Sequence, residues 1–168
     1  MKNIHFKIFC IILLSNLFFS CSQGENDELD ELYNNTEFSW KMNYSEIELE
    51  ILNLVNNHRV SIGLNSLERL DSISSVALSH SEYMVSNGKA SHDNFSYRVS
   101  RLREMEMAEI VSENVAFGHN TAKSVFSSWL NSDGHKKNLE NATLTHFGIS
   151  VVSDNSKRNY FTNIFISK

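Results

Sequence analysis

Apolar residues recur along this chain first at helical spacing and later at the spacing of strands. Ser45-Glu-Ile-Glu48 has the form of a capping box, in which a hydroxyl and a carboxylate three residues apart satisfy backbone N–H groups at a helix start. After it, Ile47, Ile51, Leu54, Val55 and His58 fall on one stripe that ends at Gly63, which predicts a first amphipathic helix. A second helix is predicted from Asp71 as N-cap, with Ile73, Val76, Ala77, His80 and Met84 on one face and Gly88 as its stop. The loop Lys89-Ala-Ser-His92-Asp-Asn-Phe95 follows, and residues 96–107 carry a weaker helical pattern through Tyr97, Arg98, Leu102 and Met105.

The spacing then changes. Ile110-Val-Ser-Glu-Asn-Val-Ala116 is short, β-branched and ended by Phe117-Gly118, so it reads as an inner strand or its edge. Thr121 caps a helix with Val125, Phe126, Trp129 and Leu130 inward. That helix is expected to break at Asp133-Gly134 and to present His135 on a loop, where an imidazole meets water or a ligand sooner than a packed core. Phe147–Val152 and Tyr160–Ile166 read as two closing strands joined by the polar turn Ser153-Asp-Asn-Ser-Lys157. There are no internal repeats and no prolines. Interleaved helices and strands with a closing hairpin predict an α+β domain, a central sheet covered by helices.

Length and charge narrow this. The 168 residues give room for one sizeable core. Residues 1–20 carry Lys2 and Lys7, no acid and the apolar run Phe9-Cys-Ile-Ile-Leu-Leu, which reads as a secretory leader. Ser20-Cys21 resembles a bacterial lipobox, with Phe18 where such boxes usually carry Leu, so Cys21 is expected to be lipidated and to anchor the protein in the membrane. With Cys10 in the leader and Cys21 acylated, the domain would hold by packing without a disulfide. Residues 21–43 are polar and acidic, with Glu25, Asp27, Glu28, Asp30 and Glu31, and read as a solvated tether ahead of a domain over 44–168. Phe38 and Trp40 are expected to mark where the chain first touches that domain. Loss of the leader takes two Lys and no acid, which leaves 13 basic residues against 20 acidic ones and a formal charge of −7. Such a surface repels phosphate backbones, so nucleic acid is not an expected partner.

Five short stretches carry a family resemblance: Asn56-Asn-His-Arg59, Ala90-Ser-His92, Ser112-Glu-Asn-Val-Ala116, Trp129-Leu-Asn-Ser-Asp-Gly-His135 and Phe147-Gly-Ile149. In that order and spacing they resemble the bacterial branch of the CAP superfamily, the SCP-like extracellular proteins. The resemblance spans about Glu46 to Ile166. It implies a three-layer α-β-α sandwich with a central, mostly antiparallel sheet and a large cleft. In many members the cleft holds two histidines and two acids able to bind a divalent ion such as zinc. By position, His92 and His135 match the histidines and Glu113 matches the first acid. Ser132 stands where eukaryotic members have the second acid, and a hydroxyl is a poor zinc ligand.

Two imidazoles and one carboxylate, with water in the fourth position, suffice for an open tetrahedral zinc site. Such an ion lowers the pKa of its water and supports hydrolysis, but the residues offer no separate base, oxyanion donors or partnered nucleophile. Three readings follow. The first is a lipid-anchored binding module, placed in the bacterial cell envelope as an outer-membrane lipoprotein, that takes a lipid, glycan or peptide at His92, Glu113, His135 and Ser132, with or without a divalent ion such as zinc on His92, Glu113 and His135. The second is a metal-assisted hydrolase using the same cleft. The third is a surface interaction protein whose cleft is vestigial. Against the functional roles stand structural ones, in which the histidines only shape the cleft and Glu113 accepts backbone N–H groups. His58 and His80 read as core or boundary residues, and His119 and His146 as flanking loops. Arg59 is expected to pair with a buried carboxylate, as the resemblance implies, and Asn114 to pin a loop. Asn141-Ala-Thr143 reads as an idle glycosylation match.

Overall fold

The structure, a computed structural model, describes residues 41–168. The leader, Cys21, Phe38, Trp40 and nearly all of the tether lie outside the described residues. In order come α1 (Glu46–Ser61), β1 (Glu68–Arg69), α2 (Asp71–Asn87), α3 (Phe95–Glu106), β2 (Ile110–Phe117), α4 (Ala122–Leu130), α5 (Asp133–Leu139), β3 (His146–Ser153) and β4 (Asn159–Ser167).

The four strands form one sheet in the order β1-β3-β4-β2. The short β1 runs parallel to β3, while β4 is antiparallel to both β3 and β2, so the sheet is mostly antiparallel as expected. Side chains alternate across it. Phe147, Ile149, Phe161 and Phe165 meet Ile51 and Val55 of α1 and Val125 and Trp129 of α4. On the opposite face, Ile164 and Ile166 meet Ile73 and Ala77 of α2 and Leu102 of α3. That is the α-β-α sandwich, with two cores separated by the sheet.

Local chemistry places each helix. The capping box at Ser45 forms, and Glu48 also accepts from the Val151 N–H at 2.8 Å, tying α1 to the edge of β3. Thr121 caps α4 by accepting from Ser124 N–H, and Gly88 ends α2 at φ +67°. Gly148 is fixed by close approach: a Cβ there would lie 2.4 Å from the Ser74 nitrogen, so only glycine lets the start of α2 rest on β3.

Three expectations are corrected, and one short strand is added. Asp71 is the first residue of α2 and not its cap. Its carboxylate instead accepts from the Met42 N–H and the Tyr44 hydroxyl. The break falls at Asn131-Ser132, where Ser132 is extended (φ −108°, ψ 116°), and Asp133-Gly134 open a new helix over residues 133–139, so His135 sits on a short helix and not a loop. The two-residue β1 carries no periodicity that sequence reading can register. Arg59 is fully buried, yet it meets carbonyls and no carboxylate: its Nε donates to Asn65 O and its Nη1 to Leu139 O and Asn141 O. The guanidinium thus closes the C-terminal end of α5, where unpaired carbonyls and the helix dipole favour a cation.

Candidate functional site

The site is assembled around β2, an outer strand of the sheet. Alternation sends Val111, Glu113 and Val115 to the α2/α3 face, and Asn114 to the face covered by α5. On the first face, Arg98 of α3 clamps Glu113 through Nε to Oε2 at 2.6 Å and Nη2 to Oε1 at 2.7 Å. The two side chains are 5% and 1% exposed, so the pair is removed from water. The same guanidinium donates through Nη1 to Asp93 O at 2.7 Å, which holds the loop carrying His92. His92 Nδ1 lies 2.8 Å from Glu113 Oε1. With Glu113 ionised, neutral His92 carries its proton on Nδ1, and its Nε2 lone pair is left for the cleft.

From the other face, α5 delivers His135. Its ring centre is 6.5 Å from that of His92, with the planes at 47°. Asn114 Nδ2 donates to His135 O, while Asn138 Nδ2 donates to Glu113 O and to Asn114 Oδ1. Trp129 Nε1 donates to Val115 O. A hollow of about 260 Å³ opens beside this edge, lined by His92, Phe95, Val111, Ser112, Glu113 and Asn138. The Ser112 hydroxyl oxygen is buried there without a hydrogen-bond partner among the described residues. A second hollow of about 370 Å³ lies between α2 and α3, with Tyr83, Tyr97, Met105, His80 and Arg98 in its walls.

Electrostatics follow from burial. Burial works to raise the Glu113 pKa, but hydrogen bonds from His92 and Arg98 outweigh it and hold the carboxyl below its ordinary value. Desolvation pushes the His135 imidazole down, helped by the nearby His92. It also pushes down His80, which bonds Ser91 O at 2.7 Å and lies 3.9 Å from Glu113.

His92, Glu113 and His135 lie near one another although they come from a loop, a strand and a helix, and His135 is not among the residues lining the hollow. Ser132 is the N-cap residue of α5, where its side chain makes no capping bond. Asn114 pins a neighbouring segment as expected. The set does not fit a three-ligand ion as it stands. Glu113 has three of its roughly four acceptor positions occupied by Arg98 and His92. Two imidazoles on one tetrahedral ion would also bring their ring centres to about 5 Å. Among the described residues, no group of three or more His, Cys, Asp or Glu is arranged to hold a metal ion. Glu113 also differs from its bland reading: it accepts from side chains and not from backbone N–H groups.

Sequence reading missed Arg98, Asn138, Ser112 and the nearness of His80. For Arg98 a signal was present, a charged residue on the same helical stripe as Leu102 and Met105. His146 lies two strands away beside Glu68, and His58 bonds Glu140, so neither reaches the cleft. Asn141 Oδ1 accepts from its own Thr143.

Arg98→Met is expected to cost about 3–5 kcal/mol in urea denaturation, because it strands a buried carboxylate. Adding Glu113→Gln should restore part of the loss, and no loss in the single variant would count against the pair as the organising contact. Stability should also fall with acid. His80 and His135 resist protonation in the fold, so their contribution is complete above the ordinary 6.5 and is lost as pH drops below it. Glu113 adds a further loss below its ordinary 4.5. Urea midpoints measured down this range should decline in both windows, and a flat profile through the first would contradict the buried neutral histidines.

Comparison with known proteins agrees with this fold. The chain matches the 36% identical "Uncharacterized membrane protein YlbC" of Bacillus subtilis over 132 residues, which are 77% of this chain and 37% of that protein. A second B. subtilis protein, "Uncharacterized protein YkwD", is 29% identical over 80% of this chain and 52% of its own length. The chain thus spans about half or less of these curated relatives. Among solved structures, an outer surface protein of Borrelia burgdorferi superposes with a TM-score of 0.68 at 22% identity, covering 76% of this chain and 97% of that one. An extracellular SCP-domain protein of Bacillus anthracis superposes with a TM-score of 0.64 at 27% identity, over 76% of this chain and 45% of that one. The family model for the CAP, or cysteine-rich secretory protein, family matches residues 52–165. The chain belongs to the CAP, cysteine-rich secretory protein, family.

Proposed function

We propose that this protein is an exported, lipid-anchored binding module whose cleft at the edge of β2 takes a small or extended ligand. The observation that carries the reading is the convergence of His92 and His135, 6.5 Å apart by ring centre, beside a hollow holding an unpartnered Ser112 hydroxyl. Glu113 supports binding over hydrolysis. A carboxylate held anionic by a guanidinium and out of water is a poor proton acceptor. Its role in this reading is to orient His92, whose Nε2 is then a directed acceptor or, once protonated, a donor for a ligand. No step requires a metal ion.

Lipid, wall glycan and peptide classes are separated by measuring binding of each to the wild type, His92→Ala and His135→Ala. At least one class should bind the wild type and lose about tenfold or more in affinity in both variants, with thermal stability kept. Unchanged binding in both would remove the cleft from the function.

The anchor has separate support. One relative is named a membrane protein and one structural neighbour is described as extracellular, in keeping with an envelope location. Among the described residues no helix is long and apolar enough to cross a membrane. In this reading an acyl chain on Cys21 provides the attachment. In detergent phase partition, Cys21→Ser should move the protein to the aqueous phase. Retention in the detergent phase would refute the lipid anchor.

A further inference from the structure

Hydrogen bonds along β2 decide which backbone groups face β4 and which face outward. Ile110 N–H donates to Ser167 Oγ and Gly118 N–H to Asn159 O, so the even-numbered residues point to β4. The odd-numbered ones point away: Glu113 C=O accepts from Asn138 and Val115 C=O from Trp129. Before Asn138 closes the edge, the outward row therefore reads N–H and C=O of Val111, then N–H of Glu113. Among the described residues these three groups have no hydrogen-bond partner.

Two outward amides of β3, on the opposite side of the sheet, are covered by side chains. Ile149 N–H donates to Ser74 Oγ at 3.2 Å and Val151 N–H to Glu48 Oε1 at 2.8 Å. Covering an edge in this way removes a template for another chain. Val115 N–H and the Phe117 backbone are likewise without partners among the described residues, but only the stretch from Val111 to Glu113 borders the hollow of His92, Phe95 and Ser112.

We propose that the stretch from Val111 to Glu113 binds an extended peptide, whose main chain pairs with it as an added strand over one or two residues. The inference rests on the cleft reading above and names its ligand class. Donor, acceptor and donor follow one another over about 7 Å of strand, the complement of the acceptor, donor and acceptor that an extended chain presents. A fatty acyl chain offers these groups nothing, and a helix has its main-chain groups already paired. Asn138 and Trp129 limit the pairing to a short segment, so side-chain contacts with His92 and Phe95 supply the remaining recognition.

The test uses the 15N-labelled full chain in detergent, titrated with acetyl-Ala-Ser-Ala-Ser-amide, with a copy methylated at alternate amides, and with N-acetylglucosamine. The blocked peptide should give saturable downfield proton shifts at the Val111 and Glu113 amides, and the methylated copy should bind about tenfold or more weakly. Val111→Pro removes an outward N–H that no ladder bond uses, so the sheet should keep its thermal stability while the Glu113 shift weakens. Absent shifts, equal binding of the methylated copy, undiminished binding by Val111→Pro, or saturation by N-acetylglucosamine alone would each overturn the proposal. If peptide fails while a lipid or glycan still depends on His92 and His135, this inference falls and the cleft reading stands. If no ligand class depends on those histidines, the cleft reading falls first.

Discussion

The Arg98–Glu113 pair is the contact on which the candidate site depends. It joins α3 to β2, and through Asp93 O it also sets the loop that carries His92. Removing two charges from water costs several kcal/mol per ion, and only close, multiply bonded geometry offsets it. Here the guanidinium places three of its nitrogens on acceptors, and the carboxylate receives His92 as a further donor. The pair need add little to net stability. Its effect is that one arrangement of loop, strand and helix satisfies both charges, while a displaced loop leaves one unpaired.

A second constraint acts from the opposite face. The short α5 has too few residues to persist alone. It is held at its end by Arg59 on the Leu139 carbonyl and in its middle by Asn114 and Asn138. Those amides bind β2 at the strand that carries Glu113, so His135 and His92 are referenced to one segment of backbone. The cleft is therefore a property of β2, with the two helical layers each contributing one imidazole across its edge.

The resemblance implies a second acid at the position of Ser132. With Ser132 at that position, the set has a single carboxylate, and that one is committed to Arg98 and His92. The other polar groups at this edge are the imidazoles of His92 and His135 and the Ser112 hydroxyl.

By itself the sequence determined most of the elements and their layers, β1 and α5 excepted. The capping box at Ser45, the Gly88 stop, the Thr121 cap, the β-branched run of β2 and the polar turn before β4 are local signals, because caps and turns act within a few residues. The motifs also placed His92, Glu113 and His135 in one cleft by resemblance. Only the tertiary structure decided what those residues do there. Arg98 finds Glu113 fifteen positions away, Arg59 finds carbonyls about eighty positions away, and neither partner is encoded in local spacing. The helical setting of His135 and the open backbone at Val111 belong to the same class. Both depend on which side chains reach an edge strand once the sheet has formed, and long-range packing makes that choice.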